Sequence, residues 1–216
     1  MEIKVLKDIL GANEHLAQRN RQLLDSKDIF AINIMSSPGA GKTSLILETI
    51  KRLKGKIKVG VIEGDVSSSL DAETVSKEGV PVVQINTDGG CHLDANMVYN
   101  ALSNLPLQDI ELLLIENVGN LICPAEFALG EHRKVLISST PEGADKPFKY
   151  PLMFHEVDMV IINKIDLLPY LKFDNDVFYQ AIKGINEKVE IFPISCATGQ
   201  GIQQWISWLL TQMGRR

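Results

Sequence analysis

The residues with the clearest chemistry lie in the segment SSPGAGKTS at 36–44, between an apolar run and a helical pattern. A strand, a glycine-rich loop and a helix in this order form a phosphate-binding loop. Gly39 and Gly41 would let backbone N–H groups close around a β-phosphate, and the positive end of the helix would face the same charge. Lys42 would reach the β- and γ-phosphate oxygens, and the Thr43 hydroxyl would bind Mg²⁺. The predicted nucleoside triphosphate site comprises Gly39, Ala40, Gly41, Lys42, Thr43 and Ser44.

Ser36 departs from the usual pattern of this loop, G-x-x-x-x-G-K-[ST], whose first position is glycine. If this position required a positive φ angle, serine would carry strain of about 1–3 kcal/mol. The alternative interpretation is an ordinary glycine-rich turn between a strand and a helix. We favour the phosphate loop because Gly-Lys-Thr stands in the strand–helix context that the motif requires.

A second motif, Asn163-Lys164-Ile165-Asp166, follows another apolar run and would select the base. The Asp166 carboxylate can accept hydrogen bonds from the ring N1–H and the exocyclic amine of guanine, and adenine lacks this pair of donors. The Lys164 stem can lie along the base, and Asn163 can tie the motif to the phosphate loop. After the next predicted strand, a backbone N–H could contact the guanine oxygen from Ser195, Cys196 or Ala197. The sequence therefore predicts GTP rather than ATP.

Acidic residues at the ends of two predicted strands, Asp65 and Glu116, could hold Mg²⁺ or its bound waters. Asp71 is an alternative that ranks below Asp65, and Asp65 could instead cap the helix after it. Gly119 follows Glu116 by three residues, so its N–H could approach the γ-phosphate and sense its loss. No glutamine stands where it would obviously orient water, which predicts slow intrinsic hydrolysis. The predicted catalytic residues are Lys42, Asp65 and Glu116, and the predicted magnesium ligands are Thr43, Asp65 and Glu116.

Cys91 and His92 are adjacent in a glycine-rich segment, and Cys123 lies four residues after Gly119. Two thiolates and an imidazole suit Zn²⁺ or Ni²⁺, although thiols without a metal are also common in protein cores. Three ligands leave a four-coordinate ion one short, and a second copy, solvent or a partner could complete it. Because Cys123 is close to Gly119, a metal bound there could respond to the nucleotide state. Cys196 is assigned to the guanine loop.

Short apolar runs alternate with helical patterns, which predicts an α/β fold with a mostly parallel sheet flanked by helices on both faces. Residues 1–27 are predicted to form an amphipathic helix, broken or weakened near Gly11, and residues 28–216 a single P-loop domain. The helix could lie across the edge of the domain, form a dimer contact or dock a partner. The predicted strands span 30–35, 56–63, 81–86, 110–116, 134–138, 159–163 and 190–194, and the predicted later helices span 68–77, 93–105 and 201–212.

Size and composition narrow the class of protein further. The chain has 216 residues with 45% hydrophobic content, enough for one domain with a sizeable core. Its net charge of -5 and lack of a basic run argue against nucleic-acid binding. Its apolar runs are too short to span a bilayer, and its first residues do not resemble a secretory signal. Three cysteines do not suggest a disulfide framework, so we expect a cytoplasmic protein.

Several segments together resemble the HypB family of hydrogenase maturation GTPases: GAGKT, EGD…LDAE, GGCHLDA, ENVGNLICP, NKIDLL and SCATGQG. The resemblance extends from about residue 32 to the C-terminus, and GCHLDA and ENVGNLICP are its most specific parts. It implies a P-loop GTPase of the SIMIBI class that forms a homodimer with GTP and helps to deliver nickel to [NiFe]-hydrogenase. The implied partners are nickel-delivery proteins and the precursor of the hydrogenase large subunit. The implied metal site at the dimer interface consists of Cys91, His92 and Cys123.

Dimeric members of this family place basic residues of the partner subunit near the nucleotide. Lys146 and Lys149, in the segment ADKPFKYP, are the candidates for that role here. Two other interpretations remain open. One is a related metallochaperone for urease, although that family has Cys-Pro-His where this chain has Cys91-His92. The other is a passive metal-binding module whose nucleotide site is vestigial.

Overall fold

A computed structural model describes residues 4–66 and 69–215, and a parallel sheet lies at the centre of this part of the chain. Its strands are β1 (Phe30–Ser36), β2 (Val59–Asp65), β3 (Val82–Asn86), β4 (Leu112–Glu116), β5 (Arg133–Ser139), β6 (Met159–Asn163) and β7 (Glu190–Pro193). Their order is β3-β2-β4-β1-β5-β6-β7, and each neighbouring pair is parallel. The predicted parallel α/β architecture is therefore confirmed.

Helices cover both faces of the sheet because the chain crosses over after each parallel strand. They are α1 (Lys4–Asp25), α2 (Lys42–Leu53), α3 (Leu70–Ser76), α4 (Ala95–Leu102), α5 (Lys146–Lys149), α6 (Pro151–His155), α7 (Asn175–Ile185) and α8 (Ile202–Gln212). Helices α2 and α8 pack on one face, with Trp205 fully buried between them and the strands. On the other face, α1 and α4 cover one half of the sheet, and α6 and α7 cover the other.

The sequence analysis expected a helix broken or weakened near Gly11; helix α1 runs through it without interruption, so the break was wrong. A glycine inside a helix costs about 1 kcal/mol, and tertiary contacts offset that cost here. The Asn20 amide donates to the carbonyl oxygens of Ala95 (2.8 Å) and Leu129 (2.9 Å). The Asn13 side chain accepts from the Ala95 N–H at 2.8 Å. These bonds fix α1 against α4, while the division into residues 1–27 and 28–216 stays a prediction.

Helix α7 is the main element that the sequence analysis did not assign. Its N-terminus is capped by Asp174, whose side chain accepts from the Val177 N–H at 3.0 Å. Phe178 and Ile182, four residues apart on one face, are both fully buried. The spacing of these two residues and the capping aspartate were the features of the sequence that could have predicted this helix. The helix covers β6 and thereby supports the loop that carries the predicted base-selecting motif.

All strands of the sheet end at the same edge, because they are parallel. Along β2 and β4, the residues that face α2 are apolar until Glu63 and Glu116, which lie side by side in the strand register. On β1 the same row ends at Ser36. Loops beyond the carboxyl ends of parallel strands are where ligands bind in open α/β sheets. The predicted site residues lie at this edge or on the loops that follow it.

Candidate functional site

The loop between β1 and α2 has the backbone geometry that its glycines allow. Gly39 and Gly41 adopt φ angles of 74° and 106°, and α2 begins immediately afterwards at Lys42. A Cβ atom on Gly41 would lie 2.3 Å from the amide nitrogen of Asn163, so a side chain at residue 41 is excluded by position as well as by φ. The N–H groups at the start of α2 could therefore hold phosphate oxygens.

Ser36, where glycine is usual, is the last residue of β1 and does not have a positive φ angle. The strain considered for this position is therefore absent. The Ser36 hydroxyl donates to the Ser37 carbonyl at 2.6 Å and accepts from the Lys42 ammonium at 3.2 Å. Serine thus adds a polar contact that holds the lysine side chain against the loop.

Glu116, at the end of β4, contacts both functional side chains of the phosphate loop. Its Oε1 accepts from the Thr43 hydroxyl at 3.1 Å and lies 3.7 Å from the Lys42 Nζ. Beside it in the register, on β2, lies Glu63, which is only 2% exposed. The sequence analysis missed Glu63. The available signal was a charged residue inside the apolar strand, two positions before Asp65.

Burial and the charge of Glu116 raise the pKa of Glu63 to about 10. Burial also raises the pKa of Glu116, while the nearby Lys42 lowers it. The Oε1 of Glu63 and the Oε2 of Glu116 are buried, and outside this pair of carboxyl groups neither finds a hydrogen-bond donor among the residues that the structure describes. Buried acceptors of this kind are satisfied by a proton or a cation. Carboxylates beside the Thr43 hydroxyl form a set of hard oxygen ligands that fits Mg²⁺.

A cavity of about 550 Å³ opens between the phosphate loop and the ends of β2 and β4. It is lined by Gly39, Gly41, Lys42, Thr43, Ser44, Asp65, Asp71, Glu116 and Gly119, among others. Both aspartates considered for magnesium therefore border the same space. Gly119 lies against the phosphate loop, and a Cβ atom on it would be 3.0 Å from Pro38. This contact couples the loop after β4 to the wall of the cavity.

The predicted guanine motif follows β6 and is bonded directly to the phosphate loop. The Asn163 amide donates to the Ala40 carbonyl at 2.9 Å, and the Lys164 ammonium donates to the Gly39 carbonyl at 2.6 Å. The Ser195 hydroxyl donates to the Asp166 carboxylate at 2.5 Å and thereby orients it.

The loop after β7 completes this region. The Cys196 N–H donates to the Asn163 side-chain oxygen at 3.2 Å, and Ala197 is exposed at the next position. Burial raises the pKa of the Cys196 thiol to about 12, so this sulfur stays uncharged at neutral pH. Partly buried in this loop, Cys196 is not part of the cluster of Cys91, His92 and Cys123.

Lys146 and Lys149 lie on the short helix α5. Lys149 forms an ion pair with Asp145, and the Lys146 Nζ lies 3.6 Å from the same carboxylate. Glu142, just before α5, accepts a hydrogen bond from the Ser37 hydroxyl. Neither lysine is among the described residues that line the cavity of its own protomer. The structure therefore does not bring these two residues to the nucleotide site within one chain.

Cys91, His92 and Cys123 converge although they lie on two separate loops. The two sulfur atoms are 3.0 Å apart and remain thiols, and the Cys91 sulfur is 3.6 Å from the Nδ1 of His92. One ligand atom from each residue lies within 4.8 Å of the others. Burial lowers the pKa of His92, which favours the neutral imidazole that binds metals. Cys91 is exposed, so the cluster can accept a further ligand from outside.

Two asparagines connect the loop of Cys91 and His92 to the loop after β4, which carries Cys123. The Asn117 side-chain oxygen accepts from the Leu93 N–H at 3.0 Å. The Asn120 amide donates to the Cys91 carbonyl at 3.2 Å. Gly119, which borders the nucleotide cavity, lies between them in the sequence. The sequence analysis missed both asparagines, whose only signal was their position on either side of Gly119.

Comparison with known proteins identifies the family. Residues 30–193 match the profile of the CobW/HypB/UreG nucleotide-binding domain. Over 212 residues, the chain is 46% identical to the hydrogenase maturation factor HypB of Escherichia coli strain K12, covering 98% of this chain and 72% of the relative. The chain belongs to the HypB family.

Solved HypB structures share the fold. HypB from Archaeoglobus fulgidus is 40% identical, with a TM-score of 0.88 and coverage of 94% of this chain and 99% of that one. HypB from Helicobacter pylori, solved in complex with nickel, is 34% identical, with a TM-score of 0.90 and coverage of 94% and 95%. The signal recognition particle receptor FtsY from Elizabethkingia anophelis, 17% identical with a TM-score of 0.56, covers 88% of this chain and 68% of its own and shows a shared fold only. The predicted SIMIBI-like P-loop GTPase fold and the resemblance to the HypB family are thus confirmed.

One property of this HypB family member concerns membranes. None of the helices in residues 4–66 and 69–215 has an apolar stretch of the length needed to cross a bilayer.

Proposed function

We propose that this chain is a GTP-hydrolysing switch that carries nickel during hydrogenase maturation. The observation that carries the proposal is the convergence of Cys91, His92 and Cys123 on loops bonded to the rim of the nucleotide cavity. The family supports it, since its Escherichia coli relative is a hydrogenase maturation factor and its Helicobacter pylori relative was solved with nickel. Nickel is the cargo in this proposal, and the nucleotide controls its affinity.

GTP is the proposed nucleotide because the Asp166 carboxylate can accept hydrogen bonds from both guanine donors, the ring N1–H and the exocyclic amine. Ser195 holds this carboxylate in place at 2.5 Å, and Asn163 fixes the motif to the phosphate loop. A carboxylate that is oriented in advance loses little entropy when the base binds. Adenine has no donor pair for it, so the site would discriminate by leaving the carboxylate without its hydrogen bonds to the base.

Lys42 and the N–H groups at the start of α2 would bind the β- and γ-phosphates. Thr43, Glu116 and Asp65 would hold Mg²⁺, which neutralises phosphate charge and favours attack of water on the γ-phosphate. Glu116 already accepts from the Thr43 hydroxyl and faces Lys42, so these groups are arranged around one point. No glutamine is found among the described residues that line the cavity, which supports slow intrinsic hydrolysis.

Coupling between the two sites would pass through the loop from Glu116 to Cys123. Departure of the γ-phosphate would change the position of Gly119, which lies against Pro38. Asn117 and Asn120 would carry this movement to the backbone of the Cys91 segment, while Cys123 lies on the moving loop itself. Two loops that hold one metal ion would then change their spacing with the nucleotide state.

A homodimer is part of the proposal because the metal cluster has three ligands and an exposed edge at Cys91. A second copy could supply further ligands to the same ion. Lys146 and Lys149 would then act on the nucleotide of the partner protomer, after leaving their common partner Asp145. A nickel-delivery protein and the hydrogenase large-subunit precursor are the proposed donor and acceptor of the metal.

Lys42→Ala is expected to lower the rate of GTP hydrolysis by about 100-fold or more, because it removes the charge that stabilises the transferring phosphoryl group. Phosphate release with saturating GTP and Mg²⁺ measures this effect. Lys51→Ala, an exposed lysine on the same helix, serves as the control and should retain the wild-type rate. Equal rates in all three proteins would contradict the assigned role and would favour a vestigial nucleotide site.

Calorimetric titration with Ni²⁺, in the presence of GDP and of a non-hydrolysable GTP analogue, tests the whole proposal. We expect affinities that differ by about 5-fold or more between the two nucleotide states, the usual range of allosteric coupling. The difference should disappear in Cys91→Ala. Equal affinity in both states would mean that the metal site and the GTPase share a chain without being coupled.

A further inference from the structure

Glu63 is a buried carboxyl group that the proposed function does not use. It extends from β2 on the face of the sheet that carries Val61, and the β2–β4 register places it next to Glu116. It is 2% exposed, although glutamate is among the residues least often buried without a partner. Burial of such a group in a core costs free energy unless the group is hydrogen-bonded or paired.

The contacts of Glu63 point to Glu116. The two side chains are paired across β2 and β4, and the residues described by the structure offer no hydrogen-bond donor outside this pair to the Oε1 of Glu63 or the Oε2 of Glu116. The remaining oxygen of Glu116, Oε1, is held by Thr43 and Lys42 on the side of the phosphate loop. The Glu116 carboxyl group is therefore held between Glu63 on one side and Thr43 and Lys42 on the other.

We infer that Glu63 is a positioning residue of the magnesium site, which holds the carboxyl group of Glu116 in the orientation that Mg²⁺ requires. The inference rests on the proposed Mg²⁺ role of Glu116 and adds a residue that the nucleotide motifs do not contain. Glu63 is not among the described residues that line the cavity. In this proposal it therefore acts through Glu116 and does not touch the nucleotide. Groups behind a metal ligand commonly change metal affinity by about 10- to 100-fold when they are lost.

Comparison of Glu63→Met with Glu63→Gln separates the positioning of Glu116 by Glu63 from the contribution of Glu63 to packing. Methionine fills nearly the same volume without a hydrogen bond, whereas glutamine keeps a polar group that can donate to Glu116. We expect Glu63→Met to raise the Mg²⁺ concentration needed for tight binding of a fluorescent GDP by about 10- to 100-fold. Glu63→Gln should stay within about threefold of the wild type, and all three proteins should bind GDP equally in EDTA. Glu187→Met, an exposed carboxylate before β7, is the control.

Binding of Mn²⁺ to the GDP complex, followed by the electron paramagnetic resonance of free Mn²⁺, gives a second readout that does not depend on hydrolysis. The positioning role predicts that Glu63→Met binds Mn²⁺ more weakly than the wild type and that Glu63→Gln binds it nearly as the wild type does. Wild-type affinity in Glu63→Met would overturn it and leave the Mg²⁺ role of Glu116 intact. Equal loss in Glu63→Met and Glu63→Gln would also overturn it. A wild-type protein whose GDP affinity does not depend on Mg²⁺ would overturn the magnesium proposal together with the role of Glu63.

Discussion

Asp166→Asn is expected to lower GTP affinity by about 100-fold or more and to create affinity for xanthosine triphosphate. Each hydrogen bond to a charged group contributes about 1.5–3 kcal/mol, and the carboxylate would make two of them to guanine. The asparagine amide turns one acceptor into a donor, which opposes the exocyclic amine of guanine. Xanthine has a carbonyl oxygen at that position, so the same amide can donate to it. Ser195 can hold either side chain in place.

Competition against a fluorescent GDP measures both nucleotides on the wild type and the variant. Asp176→Asn, an exposed aspartate in the first turn of α7, is the matched control and should bind GTP as the wild type does. Loss of GTP binding without any gain for xanthosine triphosphate would indicate a disturbed loop. Unchanged GTP affinity would place the base elsewhere and would remove the argument for guanine.

Cys123→Ala is expected to lower Ni²⁺ affinity by on the order of 100-fold, because it removes one of three ligand atoms that lie within 4.8 Å of one another. Binding of GDP should be unchanged, since the Cys123 sulfur contacts Cys91 and not the phosphate loop. The variant therefore separates cargo binding from nucleotide binding.

Cys196→Ala supplies the control within the same chain. Its thiol is partly buried in the loop after β7 and does not belong to the cluster of Cys91, His92 and Cys123. Calorimetry with Ni²⁺ on the two variants and the wild type should show a loss in Cys123→Ala only. Equal binding in all three would mean that nickel is held by other groups, and the convergence of the two cysteines would then have no metal role.

Local motifs explain why much of the candidate site could be predicted. Gly41 and Lys42 belong to one loop whose backbone shape depends on its own residues. Asn163 and Asp166 follow a strand that had to lie parallel to β1, so their loop had to reach the same edge of the sheet. The prediction that these groups lie together required no knowledge of strand order.

The tertiary structure accommodates two residues that intrinsic preference makes unfavourable, Gly11 and Ser36. Gly11 weakens a helix in isolation, yet α1 is continuous because Asn13 and Asn20 bond to distant backbone groups. Ser36 was a concern only if the loop required a positive φ angle there, and it is instead the last residue of β1, without a positive φ angle. Intrinsic preference is a weak guide wherever tertiary contacts exceed about 1 kcal/mol.

Residue type and spacing by themselves determined the nucleotide motifs, the parallel α/β fold and the family of this protein, because each depends on short segments or on their order along the chain. The tertiary structure decided which side chains meet. Glu63 faces Glu116 because of the β2–β4 register, and a slip of one residue would turn it to the opposite face of the sheet. Cys91 and Cys123 are 32 residues apart, and only the packing of two loops brings their sulfur atoms to 3.0 Å. Both contacts join distant segments and therefore depend on the fold: the sequence analysis missed Glu63, and it grouped Cys91 with Cys123 from ligand chemistry and family resemblance.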